Sequence, residues 1–530
     1  MNFGFIIDNR KCIGCHACTV ACKAEHDVPI GVNRTWVKYI EKGEFPNSRR
    51  IFSVMRCNHC TNAPCVEICP VSALFIREDG IVDFDNRRCI GCKACTQACP
   101  YDALYIDPDL HTAAKCNYCA HRIDVGLEPA CVNVCPEHAI ISGDMENPFS
   151  EISQLLSSEL VQVRKPEKGT LPKLFYIGGD DASLRPLAAQ PAGQYLWSQQ
   201  TGGVGHHASE LVDKTEFSPV PEPTFKPSAG AENGSPASEA PEKVRRVYDA
   251  PSKGVMWGWE VYAYILTKAL AAGAFILPFF LQISGVAVVP DSVQWASVFI
   301  SLGFLGVTGV LLVMDLDKPT RFLYVLLRPH WSSWLVKGAY YITAYGAVLA
   351  LWIVAKLLHW QAIVTPLIVL GIVLGCLTAI YTAFLFAQAK GRDFWQNPTL
   401  PYHMLIHTAI AGASLFLLLG VFQMQFSMLN GPMRSVLIVA LIVHLFAMWA
   451  ELSTEHSSSD SREVERLVHH GRFKKQYWGA VVAIGSILPL ILLIWFPSVL
   501  INALAGVLAF VGLWYSVKIW VLAPQAIPLR

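Results

Sequence analysis

Residues 89–100 have the sequence CIGCKACTQACP, in which four cysteines are spaced C-x2-C-x2-C-x3-C and the last precedes proline. Three more groups of four cysteines follow this pattern or a variant of it. Sixteen of the 17 cysteines fall into the four groups, which are Cys12, Cys15, Cys18 and Cys22; Cys57, Cys60, Cys65 and Cys69; Cys89, Cys92, Cys95 and Cys99; and Cys116, Cys119, Cys131 and Cys135.

The spacing within these groups is typical of cubane iron–sulfur clusters. Three closely spaced thiolates can wrap three irons of one cluster, and a fourth cysteine followed by proline ligates the other cluster of a pair. Zinc ribbons use C-x2-C pairs but not the full run. Disulfides are disfavoured by the close spacing and by a reducing compartment. The sequence therefore predicts four [4Fe–4S] clusters with no ligand left over.

The composition of the whole chain indicates a membrane protein. Of its 530 residues, 53% are hydrophobic and 16% are charged, and the mean hydropathy is +0.37. This balance is too apolar for an ordinary soluble enzyme. Because 42 Lys and Arg residues nearly match 41 Asp and Glu residues, the net charge of +1 gives no electrostatic reason to expect nucleic acid as a partner.

Eight apolar segments are long enough to cross the roughly 30 Å hydrocarbon layer as helices. They are residues 260–287, 293–314, 336–357, 361–388, 403–425, 435–452, 478–496 and 498–520. We therefore expect a multidomain chain, with a cysteine-rich domain over 1–145 and an all-α membrane bundle of eight transmembrane helices over 256–530. Between them lies an extension over 146–255, whose Pro-, Ala- and Ser-rich part at 217–242 is typical of a tether.

Positive charges in the short loops predict the orientation of the bundle. Only Lys356 and Arg434 lie on the far side. Fifteen lie on the side of the cysteine domain: Lys243, Arg245, Arg246, Lys253, Lys318, Arg321, Arg328, Lys337, Lys390, Arg392, Arg462, Arg466, Arg472, Lys474 and Lys475. Residues 1–10, MNFGFIIDNR, lack the pattern of an export signal. We therefore expect a multi-pass protein of the inner (plasma) membrane with its iron–sulfur domain in the cytoplasm.

The cysteine block resembles the four-cluster ferredoxin subunit of the molybdopterin oxidoreductases, a group that contains DMSO reductase, polysulfide reductase and formate dehydrogenase. This resemblance covers about residues 1–145 and implies a ferredoxin-like α+β fold. In that family the first and fourth groups share two clusters, and the second and third share two more. The implied ligand sets are Cys12, Cys15, Cys18 and Cys135; Cys22, Cys116, Cys119 and Cys131; Cys57, Cys60, Cys65 and Cys99; and Cys69, Cys89, Cys92 and Cys95.

The membrane half resembles the NrfD-type, quinone-reactive membrane subunit of polysulfide reductase and of the nitrite-reductase electron-transfer systems. The similar stretches are WGWEVYAYILTKALAAGAF at 257–275, DLDKPTRFLYVLLRPHWSSWLVKGAY at 315–340 and GRDFWQNPTLPYH at 391–403. The resemblance implies an electron-transfer and membrane-anchor subunit that exchanges electrons with menaquinone or ubiquinone. In that family the two subunits are usually separate chains, whereas here they are fused.

We find no molybdopterin-binding domain in these residues, so we expect the catalytic site on a separate cytoplasmic chain. Sulfite-oxidising relatives share the cytoplasm-facing arrangement, which points to sulfite or another sulfur compound as the substrate of that partner. The direction of electron flow stays open.

Quinone chemistry couples two electrons to two protons, and ionisable residues inside spans are functional candidates by default. Candidates for hydrogen bonding or proton delivery are Glu260, Tyr264, Asp315 and His403, and further quinone-binding candidates are Trp257, Lys268 and His407. Structural interpretations compete with these roles. Trp257 could belong to the aromatic belt at the membrane interface. The Lys268 side chain could extend to the membrane surface or pair with an acid, and Asp315 could form an ion pair with Arg321.

The histidines leave further interpretations open. His403 and His407 share a helix face, which fits packing, proton handling or, together with His444, ligation of a haem. A second function is a module that translocates protons or sodium, for which Lys268, Asp315, His407 and Glu451 would permit a path. No chain of acids crosses the whole bilayer in the sequence, and the far half has few ionisable residues.

Reporter fusions test the predicted orientation. Because the positive charges lie on the cysteine-domain side, fusions after Lys475 and at the C-terminus should fluoresce as cytoplasmic green fluorescent protein. A fusion near Gly431 should instead be active as exported alkaline phosphatase. High phosphatase activity after Lys475 would contradict the orientation.

Overall fold

The structure, a computed structural model, describes residues 1–191, 244–454 and 458–530. The segment 217–242, predicted to be a tether, lies outside the described residues. We refer to residues 1–191 as the cysteine-rich half and to residues 244–530 as the membrane half. The first is built from short strands and helices and the second from long helices, which confirms the predicted multidomain class.

Short strands dominate the cysteine-rich half, and one further strand, β12, comes from the beginning of the membrane half. The strands are β1 Phe3–Asp8, β2 Thr35–Lys42, β3 Arg49–Arg56, β4 Leu74–Ile76, β5 Val82–Phe84, β6 Leu104–Ile106, β7 Ala113–Lys115, β8 Ile140–Asp144, β9 Val161–Gln162, β10 Leu174–Ile177, β11 Gln190–Pro191 and β12 Val244–Tyr248. They form sheets in the orders β8-β1-β10-β9 and β11-β12-β2-β3 and two hairpins, β4-β5 and β6-β7. Because β12 belongs to the membrane half and pairs with β2, one sheet joins the two halves.

The cysteine-rich half also contains seven short helices, several of which begin or end at a cysteine. They are α1 Ala17–Glu25, α2 Pro64–Ile68, α3 Ala94–Ala98, α4 Ala120–Ile123, α5 Ala130–Asn133, α6 Glu151–Ser158 and α7 Asp181–Leu184. Helices α2 and α3 end at Cys69 and Cys99, whose backbones are extended. A residue before proline disfavours the helical region, so each Cys–Pro pair ends its helix and turns the chain.

The described part of the membrane half contains eight helices long and apolar enough to cross a membrane, which confirms the prediction. The helices, three short ones included, are α8 Trp259–Ile283, α9 Asp291–Met314, α10 Tyr324–Leu327, α11 Trp334–Leu357, α12 Gln361–Gln388, α13 Leu400–Phe422, α14 Met424–Ser427, α15 Asn430–Leu452, α16 Ser459–His469, the π-helix Gln476–Ile487 continued by α17 Leu488–Trp495, and α18 Val499–Leu522. Helix α13 begins three residues earlier than predicted, because Pro401 fits the first turn of a helix.

Glycines allow two pairs of spans to approach closely. A Cβ added at Gly412 of α13 would lie 2.8 Å from the Cα of Gly273 in α8, and one added at Gly485 would lie 2.3 Å from the Cα of Gly512. Small residues at such crossings let helix backbones pack directly in a membrane. The first crossing fixes α8, the helix that lies beneath the cysteine-rich half, against α13.

The cysteine-rich half is seated on one end of the bundle by hydrogen bonds to its backbone. The Arg321 guanidinium donates to the carbonyls of Asn86 and Cys89 at 2.8 and 2.9 Å. Lys253 pairs with Asp102 at 2.7 Å. These contacts lie in the third cysteine group or beside it, so that group faces the membrane half.

Substitution at Gly412 tests the packing of α8 against α13. Gly412→Ala should lower the free energy of unfolding by about 1–3 kcal/mol, because the added methyl overlaps the backbone of Gly273. Gly303→Ala is the matched control, since a Cβ there meets nothing within 4 Å and alanine is the better helix former. Thermal unfolding in detergent, followed by circular dichroism, measures both. Equal midpoints for the two variants would contradict the close crossing.

Candidate functional site

The second and third cysteine groups share one cavity. Cys69 of the second group and Cys89, Cys92 and Cys95 of the third line a void of ≈ 20 Å³. None of these four cysteines forms a disulfide. Cys69 therefore faces the three cysteines of the next group rather than only its own sequence neighbours.

The other cysteines also meet across the groups. Cys12 interacts electrostatically with Cys15 and Cys135. The thiols that act on Cys22 are Cys116, Cys119 and Cys131, and those that act on Cys65 are Cys57, Cys60 and Cys99. These neighbours are compatible with the ligand sets that the resemblance implies, and the sets themselves stay a prediction.

Burial makes free thiolates unfavourable at these positions. Desolvation raises the pKa of the Cys18 thiol to about 12, and it also raises the pKa of Cys22, Cys60 and Cys92. A buried anion needs compensation from a cation or from hydrogen bonds. Iron would supply that compensation, because metal ligation stabilises the deprotonated sulfur.

Backbone amides donate hydrogen bonds to several of the cysteine sulfurs. In each of three Cys–Pro pairs, the amide four residues after the cysteine faces its sulfur: Ala73 donates to Cys69 and Ala139 to Cys135, both at 3.2 Å. The amide of Ala103 likewise faces Cys99. Such hydrogen bonds stabilise negative charge on sulfur and tune the reduction potential of a bound cluster.

Two buried cations beside the thiols were not found by sequence reasoning. Arg56 is 1% exposed, lies over the Phe5 ring at 4.3 Å and interacts with Cys18, Cys116 and Cys131. Lys115 is fully buried and donates to the carbonyl of Cys116 at 2.8 Å. Their positive charge would offset that of anionic clusters. Each residue directly precedes the first cysteine of a group, Arg56 before Cys57 and Lys115 before Cys116, so this adjacency was the local signal that could have found them.

Trp257 connects the third cysteine group to the first span. Its indole Nε1 donates to the carbonyl of Cys92 at 3.2 Å, and its ring stacks on Trp395 with centroids 5.4 Å apart. The side chain of Gln525 accepts from the Trp257 amide at 3.0 Å and donates to its carbonyl at 2.9 Å. Trp257 is 4% exposed, so it is not a residue of an interfacial aromatic belt.

Asp315 pairs with a lysine of the cysteine-rich half. Lys93 Nζ lies 3.3 Å from Asp315 Oδ1 and 3.5 Å from Asp317 Oδ1. The alternative ion pair between Asp315 and Arg321 is wrong, because the Arg321 guanidinium is directed at backbone carbonyls. Burial raises the pKa of Asp315 to about 7, although Lys93 opposes the shift.

Two more predicted residues lie beside this ion pair. Glu260, in the first turn of α8, is buried and interacts electrostatically with both Lys93 and Asp315. Tyr264, one turn further along the same helix face, interacts with Asp315 and faces the side chain of Thr382. The structure therefore brings Glu260, Tyr264 and Asp315 together directly below the cysteine group that contains Cys92.

Lys268 does not snorkel to the surface, and it pairs with no acid in the described part of the chain. It is 1% exposed, donates to the hydroxyl of Thr382, and lies over the Tyr381 ring at 4.4 Å. It continues the face of Glu260 and Tyr264 into the bundle. Buried polar groups thus extend along α8 for more than two turns.

The predicted histidines lie elsewhere. His403 and His407 line a cavity of ≈ 70 Å³ with His444 and Glu451, and its lining includes none of Glu260, Tyr264 and Asp315. Asn397 donates to Glu451 at 2.6 Å. The structure therefore divides the predicted quinone-site residues between two places.

Models of known protein families match both halves of the chain. Two family models described as "4Fe-4S dicluster domain" match residues 11–74 and 49–145. A third model, "Polysulphide reductase, NrfD", matches residues 249–527, which is more than half of the chain.

Individual relatives match the cysteine-rich half. A tetrathionate reductase subunit of Salmonella typhimurium is 47% identical over 204 residues, which cover 37% of this chain and 80% of the relative. A polysulfide reductase subunit of Wolinella succinogenes is 43% identical over 180 residues, 33% of this chain and 93% of the relative. The arsenate respiratory reductase iron-sulfur subunit ArrB of a Shewanella species is 33% identical over 227 residues, 33% of this chain and 96% of the relative.

These relatives are subunits of reductases, and the membrane half matches a different subunit type. The chain therefore combines in one polypeptide an electron-transfer iron–sulfur part and a multi-pass membrane part. By the extent of the match over residues 249–527, it belongs to the polysulphide reductase NrfD family, here fused to [4Fe–4S] dicluster domains.

Proposed function

We propose that this chain passes electrons between a separate molybdopterin-type catalytic subunit and a membrane quinone. The observation that carries the proposal is the hydrogen bond from Trp257 to the Cys92 carbonyl, at the point where α8 begins. It puts a cysteine group next to buried acids in the membrane half. Electron transfer slows steeply with distance, so a quinone reduced or oxidised here would need to lie at this junction.

The electron path in this proposal consists of four [4Fe–4S] clusters. Cys15 is exposed, whereas Cys95 is buried above the membrane half, so the first set lies at the surface and the Cys92 set at the membrane. Electrons would enter or leave at the surface set, where a catalytic subunit can dock. The cavity shared by Cys69 and the third group supports the exchange of ligands between groups.

Glu260, Tyr264 and Asp315 are the proposed quinone-site residues. Oxidation of a quinol to a quinone releases two electrons and two protons, and the carboxylates of Glu260 and Asp315 can accept protons while the Tyr264 hydroxyl can donate a hydrogen bond to a quinone oxygen. Lys93 balances the charge of the acids. The proposal is restricted to this group, because His403 and His407 line a different cavity.

The relatives suggest the chemistry of the catalytic partner. Two of the three named above belong to reductases of tetrathionate and polysulfide, and one to a reductase of arsenate. We propose that the partner of this chain acts on a sulfur compound, with sulfite as the first substrate to test. The 15-to-2 distribution of loop charges supports a cytoplasmic position for both the partner and the iron–sulfur domain.

Redox-linked proton translocation is a second candidate, favoured by the polar face of α8. Beyond Lys268, the hydroxyls of Ser301 and Tyr345 lie 2.9 Å apart, and both are within hydrogen-bonding distance of the carbonyl of Ala271. Buried polar groups therefore continue toward the far side of the bundle. Acidification of proteoliposomes during quinol oxidation would distinguish a pump from a simple electron-transfer subunit, because only a pump moves more protons than the quinone chemistry releases.

Serine substitution tests the exchange of ligands between groups. Cys69→Ser should reduce iron from about sixteen to about twelve atoms per chain, because one of four cubane clusters loses a ligand. Its reduced protein should lack the same electron paramagnetic resonance signal as Cys92→Ser. Cys57→Ser, from the same sequence group as Cys69, is the control and should remove a different signal. Loss of one common signal from Cys69→Ser and Cys57→Ser would contradict the proposed sets.

Removal of one charge tests the quinone site. Asp315→Asn keeps the size of the side chain but cannot accept a proton, so quinol-dependent reduction of the clusters should fall by about 10²–10⁴-fold. Stopped-flow absorbance of the full chain in nanodiscs measures this rate, and dithionite reduction should not change.

The matched control is Asp291→Asn. Asp291 opens the same helix at its other end, where it pairs with Lys356. This variant should keep the quinol-dependent rate of the wild type. Equal rates for Asp315→Asn and the wild type would remove Asp315 from the proposed site, and slow dithionite reduction would indicate misassembly instead.

A further inference from the structure

Three buried histidines meet between the fifth and sixth spans. His403 and His407 lie one turn apart on α13, and His444 comes from α15. The ring centroids of His407 and His444 are 5.5 Å apart, and the His403 ring lies 6.3 and 6.4 Å from them. One nitrogen from each ring lies within 4.8 Å of the nitrogens of the other two. Three potential ligand atoms therefore converge from two helices.

The nitrogens of these rings are buried without hydrogen bonds. Both ring nitrogens of His407, Nε2 of His403 and Nδ1 of His444 have no hydrogen-bond partner among the described residues. Each unsatisfied buried polar group costs about 1–3 kcal/mol. Packing alone gives no reason for three imidazoles here, because apolar side chains of similar size would avoid this cost. The unsatisfied nitrogens indicate a bound group.

Carboxylates line the same cavity. Glu451 and Glu465 face the space of ≈ 70 Å³ that the three histidines enclose. Glu451 is oriented by a 2.6 Å hydrogen bond from Asn397. A divalent cation in an apolar bundle needs nearby negative charge, and neutral imidazoles cannot supply it. The two acids meet this requirement.

We propose that His403, His407 and His444 bind one transition-metal ion of the zinc type, with Glu451 and Glu465 balancing its charge. Imidazole ligands favour zinc, copper, iron or nickel over magnesium and calcium, which prefer oxygen ligands. Three histidines leave a fourth position of a tetrahedral site open, as in catalytic zinc sites. Three imidazole nitrogens converge within 4.8 Å of one another, whereas a haem iron takes at most two axial protein ligands, so the proposed metal is a bare ion.

The proposed ion would connect α13 to α15. These two spans are consecutive in the chain, and the ion would hold their ends together near the cysteine-rich half. The site is independent of the proposed quinone site, since its lining includes none of the residues assigned there.

Zinc binding to the full chain tests this proposal. Protein purified anaerobically with its clusters intact is treated with one equivalent of Zn²⁺, desalted and analysed by mass spectrometry for zinc and iron. We expect about one zinc per chain. X-ray absorption at the zinc edge should give nitrogen or oxygen neighbours at about 2.0–2.2 Å and no sulfur at about 2.3 Å.

Matched variants identify the ligands. His407→Gln and His444→Gln should each retain about tenfold less zinc than the wild type, with iron content unchanged. His359→Asn is the control, because this histidine lies in the loop between α11 and α12 with a positive φ of 55° that asparagine tolerates. It should retain zinc fully.

Several outcomes would overturn the proposal. They are failure of the wild type to retain zinc, equal retention by His407→Gln, and a sulfur shell around the zinc. A sulfur shell would mean that zinc occupies cysteine positions lacking iron. Loss of iron from the His407 and His444 variants would indicate misfolding. His403→Gln would then be tested in the same way, and full retention of zinc by this variant would overturn the proposal.

Discussion

The buried ammonium of Lys93 is the constraint on which the junction between the two halves depends. It directly follows Cys92, its side chain is about 1% exposed, and it reaches Asp315 and Asp317 just beyond α9. An unpaired charge at that depth would cost several kcal/mol. The end of α9 must therefore lie against the third cysteine group, and Trp257 and Arg321 then come within hydrogen-bonding distance of that group's carbonyls.

The basic residues of this face have two physical roles. Lys253, Arg321 and Arg392 belong to the charge excess that predicts orientation, yet each also bonds the cysteine-rich half or the chain end that supports it. The contact between the two halves thus explains part of the excess of Lys and Arg on this side of the bundle, and it does so for either orientation of the bundle in the membrane. The charges that remain free of this interface carry the topological signal.

Local patterns in the sequence predicted the cysteine groups and the eight spans, since ligand spacing and hydrophobic length are properties of contiguous residues. The partners of Asp315 and Lys268 were predicted wrongly, because Lys93, Thr382 and Tyr381 are 222, 114 and 113 positions away in the chain. Arg56 stands next to Cys57 in the sequence, but its interaction with Cys18, Cys116 and Cys131 and the role of Gln525 have no local signature. Likewise, the shared face of His403 and His407 was visible, but the addition of His444 required the packing of α13 against α15.

The sharing of ligands between cysteine groups has a consequence for biogenesis. Cys12 lies beside Cys135, which leaves the ribosome more than 110 residues later, and under the proposed ligand sets Cys15 and Cys18 share a cluster with the same Cys135. Under the proposed ligand sets, no cluster of the outer pair can be completed while the chain is still short. Nascent thiols must stay reduced until the fourth group emerges, and iron delivery then completes both outer clusters within the same stage of synthesis. Metal insertion would therefore act as a checkpoint that only a continuous, correctly folded cysteine-rich half can pass.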